Sequence, residues 1–234
     1  MRALALILVP MAAVLWAVST PPYAPGTLGD LNADAVYVLN QCPAVASVER
    51  SVAVVRPKHR IVHLLDLHPV PFDNYAADIR DQDPEVTDAG IEAEYKAEMA
   101  QVVRVYLAED KLLRWLATYH GLRRVHFEGM TDADKPFEFA DGLLAVPAED
   151  GEAYASADPF KGDRLTFGGP ANDAREAAIV RRLLRAGPLA IVVLGGAHDL
   201  SDEIRAAGDA EYLRVTVECF SSPVSASTKS EKTK

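Results

Sequence analysis

Ionisable side chains lie at or near the ends of three apolar stretches of the sequence. They are Asp66 and His68 in residues 59–68, Glu128 in residues 124–128, and His198 in residues 189–198. Each stretch has the length and composition of a buried β-strand. Because the carboxyl ends of parallel strands meet at one edge of a sheet, we expect these four side chains to line one cleft.

Two histidines and two carboxylates suit two kinds of hydrolytic chemistry. Asp66 and His68 are two residues apart, so an extended chain directs both to the same side, where the carboxylate could orient the imidazole. In one alternative, His68, Glu128 and His198 bind a divalent metal (Mn, Zn, Co or Fe) that activates water. In the other, His68 is a metal-free general base, the carboxylates hold it, and His198 stabilises the developing charge.

Several other chemistries lack their motifs in this chain. It contains no GxSxG elbow for a serine nucleophile and no HExxH helix of a typical zinc protease. Gly195 and Gly196 allow a sharp turn or a close approach before His198, but they do not extend to a GxGxxG or Walker pattern. His63 and His126 fall inside strands and are predicted to be core or sheet-face residues.

Composition narrows the class of protein. The chain has 234 residues, of which 49% are hydrophobic, enough for one well-buried core. A net charge of −10 with scattered basic residues argues against nucleic-acid binding. The two cysteines, Cys42 and Cys219, are either a disulfide of an exported protein or two buried thiols.

The first and last residues are predicted to lie outside the folded domain. Arg2 precedes the apolar run 3–18, and Ala17-Val18-Ser19 has the small-x-small pattern of a signal-peptidase site, so residues 1–20 are a cleaved export signal or a retained membrane anchor. The protein would then be periplasmic or otherwise extracytoplasmic, or associated with a membrane through residues 3–18. Residues 21–32 form a linker, 33–220 one α/β domain with a lid or insertion at 131–170, and 221–234 a disordered tail.

The order of predicted elements indicates the fold class. Strands alternate with helices from residue 59 onward, which is typical of an α/β fold with a mostly parallel sheet flanked by helices. Residues 88–120 form an amphipathic helix, either broken near Glu109 or continuous, and its methionine and tyrosines are assigned to the core. Residues 69–84 are read as a loop beside the site, and Asn172 as the N-cap of a later helix.

Four short motifs carry a resemblance to a known superfamily. They are LDLHPV (65–70), FEG (127–129), NDAREAAIVRRLL (172–184) and VLGGAHDL (193–200). Together they resemble the superfamily that holds TraB and Tiki proteins, erythromycin esterases and ChaN-type haem-binding proteins. Leu65 stands where the first GxxH motif of that group has glycine.

The resemblance implies an α/β fold like that of erythromycin esterases and ChaN-type proteins. It also implies that His68, Glu128 and His198 face one cleft, with Asp66 and Arg175 close by. We therefore expect a hydrolase-like protein that activates water to cleave a peptide or ester. The alternatives are a haem- or metal-binding protein without turnover, or an inactive regulatory scaffold, because one fold supports many functions.

Overall fold

The structure is a computed structural model that describes residues 33–140, 142–157, 160–161, 164–165 and 169–220. The export or anchor segment, the linker and the C-terminal tail predicted from the sequence lie outside the described residues. Within the part of the chain that is described, no helix is both long and apolar enough to cross a membrane.

The described chain contains six helices and nine strands, which alternate along the chain except where α2 precedes α3 and where strands follow one another directly. The helices are α1 (Ala35–Leu39), α2 (Phe72–Gln82), α3 (Asp88–His120), α4 (Gly151–Ser156), α5 (Pro170–Arg185) and α6 (Ser201–Ala207). The strands are β1 (Val45–Val52), β2 (His59–Asp66), β3 (Arg124–Thr131), β4 (Phe137–Ala140), β5 (Leu143–Glu149), β6 (Phe160–Lys161), β7 (Arg164–Leu165), β8 (Leu189–Gly195) and β9 (Ala210–Val217).

Seven strands form one mixed, mostly parallel sheet in the order β1-β9-β2-β8-β3-β5-β4. Strands β9, β2, β8, β3 and β5 pair in parallel, and only the edge strands β1 and β4 are antiparallel to their neighbours. The predicted α/β class is therefore confirmed. Because β8 lies between β2 and β3, the three strands that carry the candidate residues are adjacent.

Both faces of the sheet are covered, which explains why the central strand β8 is apolar without a break. Alternate residues of each central strand enter different cores. In β8, Ile191 and Val193 pack on the side of α3, whereas Val192 and Leu194 pack on the side of α5 and α6. A strand buried on both sides cannot alternate between apolar and polar residues, as the sequence of β8 shows.

Helix α3 is continuous over 33 residues, without a break at Glu109. The Thr87 side chain accepts a hydrogen bond from the Gly90 amide at its start, and Gly121 follows its last residue in the left-handed conformation with φ 66°. Both ends therefore have the caps expected of a stable helix. The buried face of α3 lies along the same sheet face as Val62 and Leu64 of β2.

The structure corrects four expectations. Residues 69–84 are not a loop throughout, because α2 occupies Phe72–Gln82 and its aromatic side chains pack against Tyr95 of α3. Part of segment 131–170 belongs to the main sheet as β4 and β5. Helix α5 begins at Pro170 rather than after Asn172. Both cysteines are free thiols, Cys42 buried and Cys219 exposed.

The C-terminus of α3 provides a test of this architecture. Gly121→Ala places a Cβ atom on a left-handed residue, so we expect the free energy of unfolding to fall by about 1–2 kcal/mol. Gly121→Asn should lose less, because asparagine tolerates that conformation better. Chemical denaturation of the two variants measures the difference, and equal stability of both with the wild type would contradict the cap.

Candidate active site

The three adjacent strands bring the predicted residues together at their carboxyl ends. Asp66 is the last residue of β2 and pairs in register with Gly195, the last residue of β8. His68 and His198 follow these strands by two and three residues. Glu128 lies in β3, which does not end there as predicted but continues to Thr131 after a shift in register that follows Phe127.

His68 and Glu128 form the contact at the mouth of the site. His68 Nε2 lies 2.6 Å from Glu128 Oε2, and the His68 side chain is 52% exposed whereas Glu128 is 14% exposed. The hydrogen bond to Glu128 raises the pKa of His68 above its ordinary 6.5, although burial opposes this. Because the carboxylate accepts the Nε2 proton, the lone pair of the neutral ring is on Nδ1.

Glu128 is held by four donors at once. Besides His68, it accepts hydrogen bonds from Arg175 Nη2 at 2.8 Å, from His198 Nε2 at 3.2 Å and from the Gly195 amide at 2.6 Å. Burial raises the pKa of this carboxyl, but the hydrogen bonds from His198 and His68 outweigh it and hold the pKa well below its usual range. Glu128 is therefore a fixed carboxylate and not a general acid.

Arg175 reaches Glu128 from α5 on one side of the sheet. Its guanidinium also donates to both oxygens of Glu149, at 2.5 and 3.2 Å, and it lies 5.1 Å from the ring centre of Tyr154 in α4. Glu149 is fully buried and Arg175 is 4% exposed. A buried arginine requires such paired acceptors, since an unpaired charge would be costly there.

His198 is held between two carboxylates. Its Nδ1 lies 2.8 Å from Glu176 Oε1, and its Nε2 faces Glu128. Both ring nitrogens can donate only when the ring is protonated. Burial lowers the pKa of His198, but the hydrogen bonds to Glu128 and Glu176 more than compensate and raise it to about 9. The two carboxylates therefore favour the imidazolium form of His198, although the Arg175 guanidinium, 3.5 Å from Nε2, opposes it.

Asp66 lies on the other side of His68 but does not form the predicted orienting hydrogen bond. Its Oδ2 is 3.6 Å from His68 Nδ1, and its Oδ1 accepts from the Leu67 amide. Burial raises the pKa of Asp66 to about 6. One water molecule could contact both His68 Nδ1 and Asp66 Oδ2 at this separation.

A second buried acid lies in α3, on the face that packs against Asp66. Glu109 is 6% exposed, and no described residue forms a hydrogen bond to its Oε1. Burial, and then the charge of Asp66, raise the pKa of Glu109 to about 9. The neutral acid is the form that this environment favours.

The core histidines are where the sequence predicts them. His63 and His126 are both buried, and each contacts a main-chain carbonyl oxygen, that of Leu194 and that of Pro147 respectively. The Tyr212 hydroxyl lies 2.6 Å from His63 Nδ1, and burial lowers the pKa of His63 to about 4. His63 is therefore neutral and structural.

Gly195 is required by the packing around His68. A Cβ atom at this position would lie 3.0 Å from His68 Cδ2, 3.1 Å from its Nε2 and 3.3 Å from Glu128 Oε2. The glycine thus allows the amide of residue 195 and the ring of His68 to reach the same carboxylate oxygen.

As arranged, the candidate ligands do not fit a metal ion. Both oxygens of Glu128 face Nε2 of His68 and Nε2 of His198 in hydrogen bonds, and Nδ1 of His198 faces Glu176. A metal centre needs lone pairs that converge on one point. In the described part of the chain, no group of three or more histidine, cysteine, aspartate or glutamate side chains could hold a metal. The divalent-metal and haem assignments stay predictions.

The sequence indicates the central residues of the site but not the residues that hold them in position. The five predicted residues Asp66, His68, Glu128, Arg175 and His198 all lie here. The sequence did not indicate that Glu109, Glu149 and Glu176 belong to the site. It also did not indicate that Gly195 packs against His68. Glu176 follows Arg175 in the motif of residues 172–184, so its neighbour could have indicated its place in the site. Glu149 lies in a segment whose acidic composition is typical of a solvent-exposed surface.

Comparison with family models, curated proteins and solved structures finds no match to the chain. The superfamily resemblance of the four motifs therefore stays a prediction, and the residues themselves carry the functional argument.

The role of Gly195 can be measured without knowing a substrate. Gly195→Ala should displace the His68 ring from Glu128, so the pKa of His68 should fall toward 6.5, as followed by NMR titration of the ring protons. Gly196→Ala is the matched control, because its Cβ would meet Phe220 Cζ at 3.0 Å and not His68. An unchanged His68 pKa in Gly195→Ala would show that the hydrogen bond to Glu128 does not set it.

Glu109 should make the stability of the protein depend on pH. Its pKa is raised from 4.5 to about 9 in the folded state, so its contribution to stability is present below pH 4.5 and is lost as the pH rises toward 9. Glu109→Gln should be more stable than the wild type at pH 8 and should lose less stability between pH 5 and 9. Urea denaturation at several pH values measures the free energy of unfolding of each variant. Glu92→Gln, at an exposed position on α3, is the control. Parallel curves of stability against pH for Glu109→Gln and the wild type would contradict the prediction.

Proposed function

We propose that this protein is a metal-independent hydrolase in which His68 is the general base for water. One observation carries the proposal: a half-exposed histidine is hydrogen-bonded at 2.6 Å to a largely buried carboxylate that three further donors hold in place. A base of this kind needs a fixed tautomer and access to solvent, and His68 has both. The acyl group cleaved would be that of an ester or a peptide.

The bond changes follow from this arrangement. Water, in contact with His68 Nδ1 and Asp66 Oδ2, adds its oxygen to the substrate carbonyl carbon while His68 takes its proton. The tetrahedral intermediate then breaks its bond to the leaving oxygen or nitrogen, which receives that proton from His68. The products are a carboxylic acid and an alcohol or amine. Glu128 stabilises the His68 imidazolium between the two steps.

The cations behind Glu128 have a supporting role. Arg175 and His198 are buried, and both donate to Glu128, so they fix its position and keep it ionised. The sequence predicts that His198 stabilises the charge that develops on the substrate. In the proposed mechanism, His198 instead acts through its hydrogen bond to Glu128. The exported or membrane-anchored location rests on residues 1–20 and stays a prediction.

The decisive experiment is a hydrolysis assay on protein dialysed against a chelator, with aryl ester and peptide substrates. His68→Asn should lower kcat/KM by about 10²–10⁴-fold, because general-base catalysis contributes that much. His59→Asn, at the opposite end of β2, is the control and should leave kcat/KM unchanged. For the wild type, kcat/KM should rise with pH through the raised pKa of His68, and Glu128→Gln should lower the activity and move this rise to lower pH.

Two results would contradict the proposal. Activity that disappears on chelation and returns with added Mn²⁺ or Zn²⁺ would favour the metal alternative, with His68, Glu128 and His198 as ligands. Wild-type rates equal to those of His68→Asn would show that His68 is not the base. If both equal the uncatalysed rate on every substrate, a protein without turnover is favoured, and a Soret band on adding haem would then identify a haem-binding protein.

A further inference from the structure

The 195–198 turn, which runs from Gly195 to His198, carries two donors to the same carboxylate. The Gly195 amide donates to Glu128 Oε2 at 2.6 Å, and His198 Nε2 lies 3.2 Å from Glu128 Oε1. The His198 amide closes the turn by donating to the Gly195 carbonyl oxygen at 3.0 Å. A displacement of the turn would therefore move both donors away from the carboxylate that holds His68.

A side chain outside the buried cluster contacts this turn. Arg214 of β9 donates from Nη2 to the Gly196 carbonyl oxygen at 3.0 Å. Because β2 lies between β9 and β8, the arginine reaches past a whole strand to the residue that follows β8. The Gly196 amide donates to the Asp66 carbonyl oxygen at 3.1 Å. The amide and the carbonyl group of Gly196 are thus bound to β2 and to β9.

The turn is enclosed from both faces of the sheet. In β9, Leu213 and Val215 pack in the core on the side of α3, so Arg214 between them leaves on the side of α5 and α6. From the side of α3, the ring of Phe220 approaches Gly196 so closely that a Cβ atom there would lie 3.0 Å from Phe220 Cζ. Between an arginine donor and an aromatic ring, Gly196 has little freedom to move.

Arg214 has no ion pair that would account for its position. Among the described residues, no carboxylate oxygen lies within 4.0 Å of its guanidinium, whereas Arg175 forms ion pairs with two carboxylates. The Nε atom of Arg214 is buried and has no hydrogen-bond partner in the described part of the chain. Because a buried donor without an acceptor reduces stability, ion pairing and burial do not explain this arginine. The hydrogen bond to Gly196 does.

The charge of Arg214 also acts on the residue after the turn. Burial raises the pKa of Asp199, but the hydrogen bonds from the Ser201 hydroxyl and amide, together with the positive charge of Arg214, outweigh it and lower that pKa. Ser201 is the first residue of α6. Arg214 therefore contacts the start of the turn directly and stabilises the ionised form of the acid that follows its end.

We propose that Arg214 is a positioning residue whose guanidinium holds the 195–198 turn so that both donors of the turn reach Glu128. This inference rests on the proposed hydrolase function and adds to it a side chain outside the cluster around Glu128. Because Glu128 in turn orients His68, Arg214 acts on catalysis through intervening contacts. Its effect is expected on the rate of the chemical step and not on substrate binding.

The first measurement needs no substrate. In Arg214→Met, which removes the donors and the charge, the Gly195 amide should lose protection from hydrogen exchange, whereas the amides in the middle of β8 should keep it. Loss of a positive charge alone would raise the pKa of His198, but displacement of the turn from Glu128 and Glu176 would lower it. NMR titration should therefore show a lowered pKa of His198. Unchanged protection of the Gly195 amide, or a raised pKa of His198, would overturn the proposal.

Two further variants separate position from stability. Arg214→Lys keeps a donor and the charge, so it should retain the protection of the Gly195 amide and most of the activity. Arg50→Met is the matched control, because Arg50 of β1 also contacts β9, through an ion pair with Glu211 at 2.9 Å near the amino end of the strand. Equal changes in Arg50→Met would show that the turn responds to any loosening of β9 and would overturn the proposal. If Arg214→Met does not fold, Arg214→Gln, whose shorter side chain cannot reach Gly196, is read in the same way.

The hydrolysis assay then tests the link to catalysis. Arg214→Met should lower kcat by about 10–100-fold on an aryl ester and leave KM nearly unchanged, since misplacement of catalytic groups by a distant change costs up to about 10²-fold. A displaced turn with a wild-type kcat would overturn the proposal while leaving the role of His68 to its own test. A wild type without turnover would contradict the hydrolase proposal instead, and the exchange and titration results would still decide whether Arg214 holds the turn.

Discussion

The largely buried carboxylate of Glu128, 14% exposed, is the constraint on which the site depends. A carboxylate with little access to water is costly unless donors replace its hydration. Here the donors come from three other parts of the chain: His68 after β2, Gly195 and His198 at the end of β8, and Arg175 from α5. Each contact requires the strands to be in register, so the electrostatics of one side chain and the order β2-β8-β3 depend on each other.

The support continues outward from Glu128. Arg175 is satisfied by Glu149 at the end of β5, and His198 is satisfied by Glu176, one residue after Arg175 on α5. This alternation of carboxylates and cations buries several charges without leaving any of them uncompensated. The buried groups are therefore fixed in position. Within this cluster, His68 is the side chain that remains exposed and can transfer protons.

Acidic side chains have different environments on the two faces of the sheet. On the face of α5, Glu128, Glu149 and Glu176 form ion pairs with Arg175 and His198. On the face of α3, burial raises the pKa of Asp66 to about 6, although His68 lies 3.6 Å away, and raises that of Glu109 to about 9. The site thus places His68 between an ionised carboxylate and an acid of raised pKa. Different environments on two sides of one sheet give similar side chains different chemistry.

The sequence by itself determined the alternation of strands and helices, the two-sided burial of the central strands and the strand-end positions of Asp66, His68 and His198, because these follow from local periodicity. It did not reveal α2, because the prolines on either side of this short helix and the aspartates within it are typical of a loop. Only the tertiary structure decided that Glu128 rather than Asp66 holds His68, that Glu149 is buried under Arg175, and that Tyr106 is exposed beside the site. These are contacts between residues 26 or more apart in the chain, or depend on such contacts. Strand order and register set them, and neither can be read from the spacing of residues along the chain.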